Sequence, residues 1–279
     1  MSEERQALVR GATRFIAIVG DPISQVLSPE IYNPRLVKAN ALLLPLHVPS
    51  STFETVMPSL RRIANLAGLV FTVPFKERAI PFADEVLPAG RQIGAINAMR
   101  PGADGRWTAD MFDGTGLVRA LERLDATPAG RRVLLIGAGG AGRAIAIALA
   151  RARASALTIF DVDQGKLKRL ADDVRRFYPT CAITTPERVD AARHDIVINA
   201  TPVGMTAGDG FPAPLGALDS ATVVFDIVPT PTMTPLMAHA AAAGCRTGGG
   251  RLMIESQAEA VLEFLGFVSS APSYAHHAK

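Results

Sequence analysis

The chain has 279 residues, 48% of them hydrophobic, enough to bury a full core and to divide into two domains of ordinary size. Its 29 Lys and Arg against 26 Asp and Glu leave a net charge of +3, scattered without a basic stripe interleaved with aromatics, which argues against a nucleic-acid groove and for a small-molecule substrate. No apolar run nears the roughly 18 residues of a membrane span, MSEERQALVR lacks an apolar signal core, and Cys181 and Cys245 have neither metal-ligand nor redox-pair spacing, so the expectation is a cytoplasmic protein with reduced thiols, no metal and no membrane partner.

From the N-terminus, FIAIVG at 15–20 reads as a strand, PEIYNPRLVKAN as a helix, ALLLPLHV as a strand and FETVMPSLRRIANL as a helix. GLVFTVPF is the next strand, bounded by Gly68 and broken by Pro74, and it delivers Lys76 at its end. An ammonium is costly to bury, so Lys76 either snorkels to solvent or serves chemistry. Strands alternating with helices argue for an α/β fold with parallel character and right-handed crossovers. After a Gly- and Asp-rich turn near Gly102 to Gly105, GTGLVRALERLDA reads as a linking helix.

A second series follows. RRVLLIGAGGAGRAIAIALARARA gives a strand, a glycine-rich turn and an alanine-rich helix; the strand ALTIFDVD, the helix KLKRLADDVRRFY and the strand DIVINAT come next, the order of a nucleotide-binding half-sheet. VVFDIV at 223–228 adds a strand, MTPLMAHAAAAG a helix, and IESQAEAVLEFLG a final helix expected to return to the first domain. The polar tail SSAPSYAHHAK is expected to fray, with His276 and His277 solvated rather than ligating a metal.

Gly137-Ala138-Gly139-Gly140-Ala141-Gly142 fits G-x-G-x-x-G between a strand and a helix, the context in which that pattern is specific for a dinucleotide. The first glycine permits the tight turn, the second lets backbone approach the pyrophosphate, and the third lets helix pack on strand. Asp161 stands 24 residues after Gly137, at the end of the next strand. A carboxylate there accepts hydrogen bonds from the ribose hydroxyls of NAD and repels a 2'-phosphate, while FDVDQGK supplies no arginine, so NAD is favoured over NADP. An aspartate that merely caps the next helix fits the same position. Thr201 and Met205, beyond the end of the strand DIVINAT, are expected near the nicotinamide side, and Val228 among the cofactor-binding residues.

The segments GDPISQVLSP, GLVFTVPFK, GAINA, DMFDGTG, LLIGAGGAGRA, INATPVGM, FDIVPTPTMTPL and GRLMIESQAEA, in this order and spacing, resemble the shikimate dehydrogenase family, quinate/shikimate dehydrogenases included, over about residues 15–266. The resemblance implies an N-terminal α/β substrate domain over 1–114, joined by a C-terminal helix at about 254–279, a Rossmann dinucleotide-binding domain over 115–253, and a cleft between them. It implies NAD(P)-dependent oxidation of a ring hydroxyl, or the reverse reduction. Lys76 matches the family's catalytic lysine and Asp113 its partner; Ser28, Thr72, Asn97 and Gln257 match substrate-binding positions. A partly desolvated lysine beside an aspartate suits the proton transfer that must accompany hydride loss. Asp113 as a turn or N-cap residue and Asn97 as a turn residue remain alternative readings.

The resemblance also implies departures. Val26 stands where the family has a second serine, Val70 where it commonly has asparagine, Met111-Phe112 within its D-N-T-D-G, and Pro229 at a common tyrosine. Arg251, in the altered segment Gly249-Gly250-Arg251-Leu252-Met253, could restore carboxylate binding or serve as a solvated cation. The substrate is therefore open among shikimate, quinate and related cyclic hydroxy acids. A methylene-tetrahydrofolate dehydrogenase-like enzyme and a non-catalytic dinucleotide sensor are the other readings, and a monomer or homodimer is expected.

Overall fold

The computed structural model describes residues 9–206 and 208–268, so the polar tail lies outside the described residues. The chain forms two compact units: one runs to Phe112 and takes up the chain again from Ala258, and the other is Asp113–Gln257.

The first unit holds β1 (Arg14–Gly20), α1 (Ser28–Leu36), β2 (Ala41–His47), α2 (Phe53–Leu60), β3 (Leu66–Phe71), β4 (Glu85–Val86), α3 (Pro88–Ile93), β5 (Ala98–Pro101) and β6 (Trp107–Asp110). They form one sheet in the order β2-β1-β3-β5-β6-β4. β1 runs parallel to β2 and β3, whereas β5 is antiparallel to both β3 and β6. Central β1 is a continuous apolar run because a parallel strand covered on both faces has no wet side. Phe53, Phe71 and Phe75 anchor the core beneath it, with the Phe53 and Phe75 rings stacked at 4.1 Å.

The second unit holds α4 (Asp113–Glu122), β7 (Arg132–Ile136), α5 (Gly140–Arg151), β8 (Ala156–Phe160), α6 (Gln164–Phe177), β9 (Ala182–Thr184), β10 (Ile196–Asn199), β11 (Val223–Asp226), α7 (Pro235–Ala242) and β12 (Arg246–Gly249). Its sheet is parallel throughout, in the order β12-β11-β10-β7-β8-β9. The order reverses beside β7, the switch point of a Rossmann sheet, and ligands bind such sheets outside the strand C-termini there. The α/β class expected from the sequence is the one formed. α8 (Gly250–Phe264) begins in this unit and ends in the first. In the first unit its end packs closely: a Cβ on Gly68 would lie 2.6 Å from Leu265 Cδ2, and the Phe264 ring sits 5.0 Å from that of Phe112.

Several boundaries differ from the sequence reading. β3 stops at Phe71 instead of running through Phe75. Pro74 has no N–H to give a ladder, and the Phe75 amide closes a turn onto the Thr72 carbonyl at 2.9 Å, so Lys76 follows a turn rather than ending a strand. The first two helices end at Leu36 and Leu60, short of the expected 40 and 66. α8 begins four residues earlier than expected, at Gly250. Among the described residues no helix is long and apolar enough to cross a membrane. Both cysteines are free and buried, and burial pushes both thiols up from their ordinary pKa.

Candidate active site

In the second unit the chain leaves β7 through Gly137, whose φ of 109° is open only to glycine without strain, and a Cβ there would lie 2.8 Å from the Ala200 carbonyl oxygen. Gly142 is more tightly constrained: a Cβ would sit 2.0 Å from the Gly137 carbonyl oxygen, so the first turn of α5 rests directly on the loop. At Gly139 and Gly140 an added Cβ would meet nothing within 4 Å. Those two glycines leave the backbone open at the N-terminus of α5, which has no side-chain cap on its first amides. Open backbone, free amides and a helix dipole together make a fit for a pyrophosphate. Ala141 lies within that first turn.

Asp161 closes one side of the loop. Its Oδ2 accepts from the Ala138 amide at 2.6 Å and its Oδ1 from the Asp163 amide at 2.8 Å. The cap of α6 is Asp163, which accepts from the amides of Gly165 and Lys166, so the capping role that was open for Asp161 belongs to its neighbour. A cavity of about 320 Å³ lies here, lined among others by Gly137, Gly139, Asp161, Val162, Lys166 and Thr201. Lys166 was missed in the sequence because a lysine in the first turn of an amphipathic helix looks like any solvated one; only the fold turns it to this cavity.

Behind the cavity lies a buried polar network. Asn199 Oδ1 accepts from the Thr201 amide and hydroxyl at 3.0 and 2.7 Å, and its Nδ2 donates to the Val203 carbonyl and to Asp226 Oδ1 at 3.0 and 2.9 Å. Asp226 also accepts from the Thr234 hydroxyl at 2.7 Å and from the Val228 amide at 3.1 Å. The Asp226 carboxyl is fully buried, and burial raises its pKa against the lowering effect of those donors. Thr201 thus belongs to the cavity, Val228 is buried with its amide on Asp226, and Met205 is 52% exposed.

Asp113 opens α4 and is buried, and its Oδ1 accepts from Gln257 Nε2 at 2.5 Å. Gly116 permits that approach, since a Cβ on it would lie 2.6 Å from that of Gln257. Arg251, on α8, is engaged along its own helix, its Nε 3.1 Å from Glu255 Oε1, and its side chain is 59% exposed.

In the first unit the candidates gather beyond the C-terminal ends of β1 and β3. The Thr72 amide donates to the Val19 carbonyl at 3.0 Å, and a Cβ on Gly20 would lie 2.5 Å from Thr72 Cγ2. Lys76 is half-buried, and its carbonyl accepts from the Ile96 amide at 2.8 Å, which sets it beside Asn97. Asn97 is buried, with Oδ1 accepting from the Phe112 amide at 2.9 Å. Asp21 pins the GDPIS turn by accepting from the Ser50 amide and hydroxyl and from His47, and the His47 contact leads in holding its carboxyl below the ordinary range. Ser28 begins α1 and Val26 is half-buried just before it, while Val70 is buried in β3.

Residues 18–99 match the family model described as the shikimate dehydrogenase substrate binding domain. The shikimate dehydrogenase (NADP(+)) of Geobacter sulfurreducens is 34% identical over 265 residues, spanning 91% of each chain. Among solved structures, shikimate 5-dehydrogenase from Listeria monocytogenes in complex with shikimate and NAD is 26% identical with a TM-score of 0.85, over 96% of this chain and 95% of that one. The ligand-free 5-ketofructose reductase of Gluconobacter sp. strain CHM43 is 27% identical with a TM-score of 0.84, over 91% and 92%.

Proposed function

The chain belongs to the shikimate dehydrogenase family, and from that membership we propose that it is an NAD(P)-dependent dehydrogenase interconverting a ring hydroxyl and ketone of shikimate, quinate or a related cyclic hydroxy acid. The observation that supports the reading most is the hydrogen bond from Gln257 to Asp113, because two residues matched to a site and 144 positions apart in the sequence are bonded to each other. The bound nicotinamide supplies or accepts the hydride. Lys76 takes the hydroxyl proton in the oxidation and returns it in the reduction; its amine must be within hydrogen-bond reach of that oxygen. By the resemblance Asp113 is the residue that would orient the ammonium, and Gln257 in turn fixes the Asp113 carboxylate through its Oδ1. Asn97, Thr72 and Ser28 offer donors and acceptors to substrate hydroxyls and carboxylate. The glycine loop holds the pyrophosphate.

Cofactor choice rests on two residues of opposite sign. Asp161 supports NAD, held by the Ala138 and Asp163 amides at the cavity edge where the adenosine ribose would sit. Lys166, lining the same cavity, is the group that would tolerate a 2'-phosphate, and the named relative uses NADP(+). We assign the preference to NAD, because a carboxylate beside the ribose penalises the phosphate directly while Lys166 already lies 3.5 Å from Asp163.

Val26 and Val70 favour a second substrate reading. Each unmatched hydroxyl or carboxylate oxygen of a bound substrate costs about 1–3 kcal/mol, and Arg251, paired with Glu255, offers no evident replacement. A less acidic cyclic polyol or ketose fits those apolar positions, and the likeness to a ketofructose reductase supports including one. The deciding experiment follows absorbance of the reduced nicotinamide with NAD and NADP against shikimate, quinate and neutral ketoses. Turnover with a cyclic hydroxy acid, abolished in Lys76→Ala with NAD affinity retained, is the expected result. Turnover with neutral ketoses alone selects the second substrate class, and tight cofactor binding without any turnover would overturn the enzyme reading in favour of a sensor.

A further inference from the structure

At the opposite end of the first unit's sheet lies a cavity of about 460 Å³ that the dehydrogenase reading does not use. Arg14 opens β1 and Leu66 opens β3, so this is the N-terminal end of the parallel strands, about 20 Å along β1 from the end that carries Gly20 at the usual strand rise. Arg14 and Arg100 line it from the two strands that flank β3, two strand spacings or about 10 Å apart at the backbone. Asn65 and Thr108 add polar groups, and Leu265 an apolar wall. Among the described residues lining the cavity there is no Asp or Glu, and neither arginine has a carboxylate partner among the described residues.

Both guanidinium groups are held in place. The Arg14 Cζ lies 4.8 Å over the Phe267 ring, and the Arg100 Cζ lies 4.7 Å over that of Phe264, with Nη1 donating to the Phe264 carbonyl at 2.5 Å. Stacking covers one face of a guanidinium and leaves most of its in-plane N–H donors free. Two unpaired cations held by rings at the rim of one cavity are preorganised for anions, since the ordering entropy of two long side chains has already been spent. Anionic groups recognised there would bind by paired N–H contacts, the geometry arginine favours with carboxylate and phosphate.

We propose that this cavity is a binding site for a small molecule with two anionic groups a few bonds apart, a dicarboxylate or a phosphorylated acid, each group taken by one of Arg14 and Arg100. The test is isothermal titration of the full chain at low ionic strength with malonate, succinate, glutarate and phosphoglycolate. Saturable binding is expected for at least one of them, with span preference among the dicarboxylates separating that source from the phosphorylated acid. Arg14→Gln and Arg100→Gln should each weaken it by at least about tenfold, as loss of a charge-assisted pair entails, and the lysine variants by less, since they keep charge but lose the fork. If a glutamine variant does not fold, the lysine variant at that position carries the comparison. No saturable binding by the unmodified chain, or binding that all four variants leave unchanged, would overturn the proposal.

Discussion

At the level of single residues, Gly137 and Gly142 were legible because each has a steric reason that sequence context exposes, whereas the polar groups facing the cavity were only partly so. Asp161 could be picked out by its distance from Gly137, but its partners, the Ala138 and Asp163 amides, exist only once β7 and β8 lie side by side. Asp161→Ser is expected to shift the ratio of NAD to NADP use toward NADP by about tenfold, the scale of one charged contact, and Lys166→Ala to weaken NADP more than NAD; paired KM measurements for the two cofactors check both. Asp226 escaped the reading because a buried aspartate without a cation leaves no trace in the sequence. Its pKa is raised by burial, so the folded state holds the proton more tightly than the unfolded chain, whose carboxyl titrates near 3.8. Its contribution to stability is therefore fully present below that value and is lost as pH rises through the raised folded value. Asp226→Asn should remove that slope, so that urea midpoints of variant and parent diverge in the variant's favour as pH rises above the unfolded value near 3.8.

Among the elements, long alternating segments were readable and short ones were not. β1, α5 and α6 each repeat their pattern over enough residues to declare a period. β4, β5 and β6, of two to four residues, are too brief for any period, and two of them pair antiparallel within a sheet that the strand–helix alternation suggested to be parallel. β5 and β6 meet across the Gly102–Gly105 turn, which the composition did mark. Helix packing supplies a sharp test. A Cβ at Gly114 would lie 2.4 Å from the Ala144 carbonyl oxygen and 2.5 Å from the Ala148 Cβ, contacts within the second unit that set α4 against α5. Gly114→Ala should destabilise the protein by about 1–3 kcal/mol, the usual cost of overpacking, read from denaturant midpoints at constant slope. Gly139→Ala, in open space, should leave stability nearly unchanged and weaken cofactor affinity.

For the whole molecule, the two-part division is written in the sequence as two successive strand–helix series, but the point where α8 passes from one unit to the other is not, since one helical period runs through Gln257 and Ala258 without a break. A chain ending at Gln257 should keep the second unit and lose the packing of Phe264 and Leu265 on Phe112 and Gly68. Amide hydrogen exchange should then find β1, β3 and β5 deprotected while β7 and β10 stay slow. The same arrangement bears on the nascent chain. The residues from Ala258 that complete the first unit leave the ribosome only after the whole second unit has emerged. Residues 113–257 can finish their fold during translation, while the first 112 wait, with Gly68 and Phe112 still lacking Leu265 and Phe264, for the residues from Ala258 to be released.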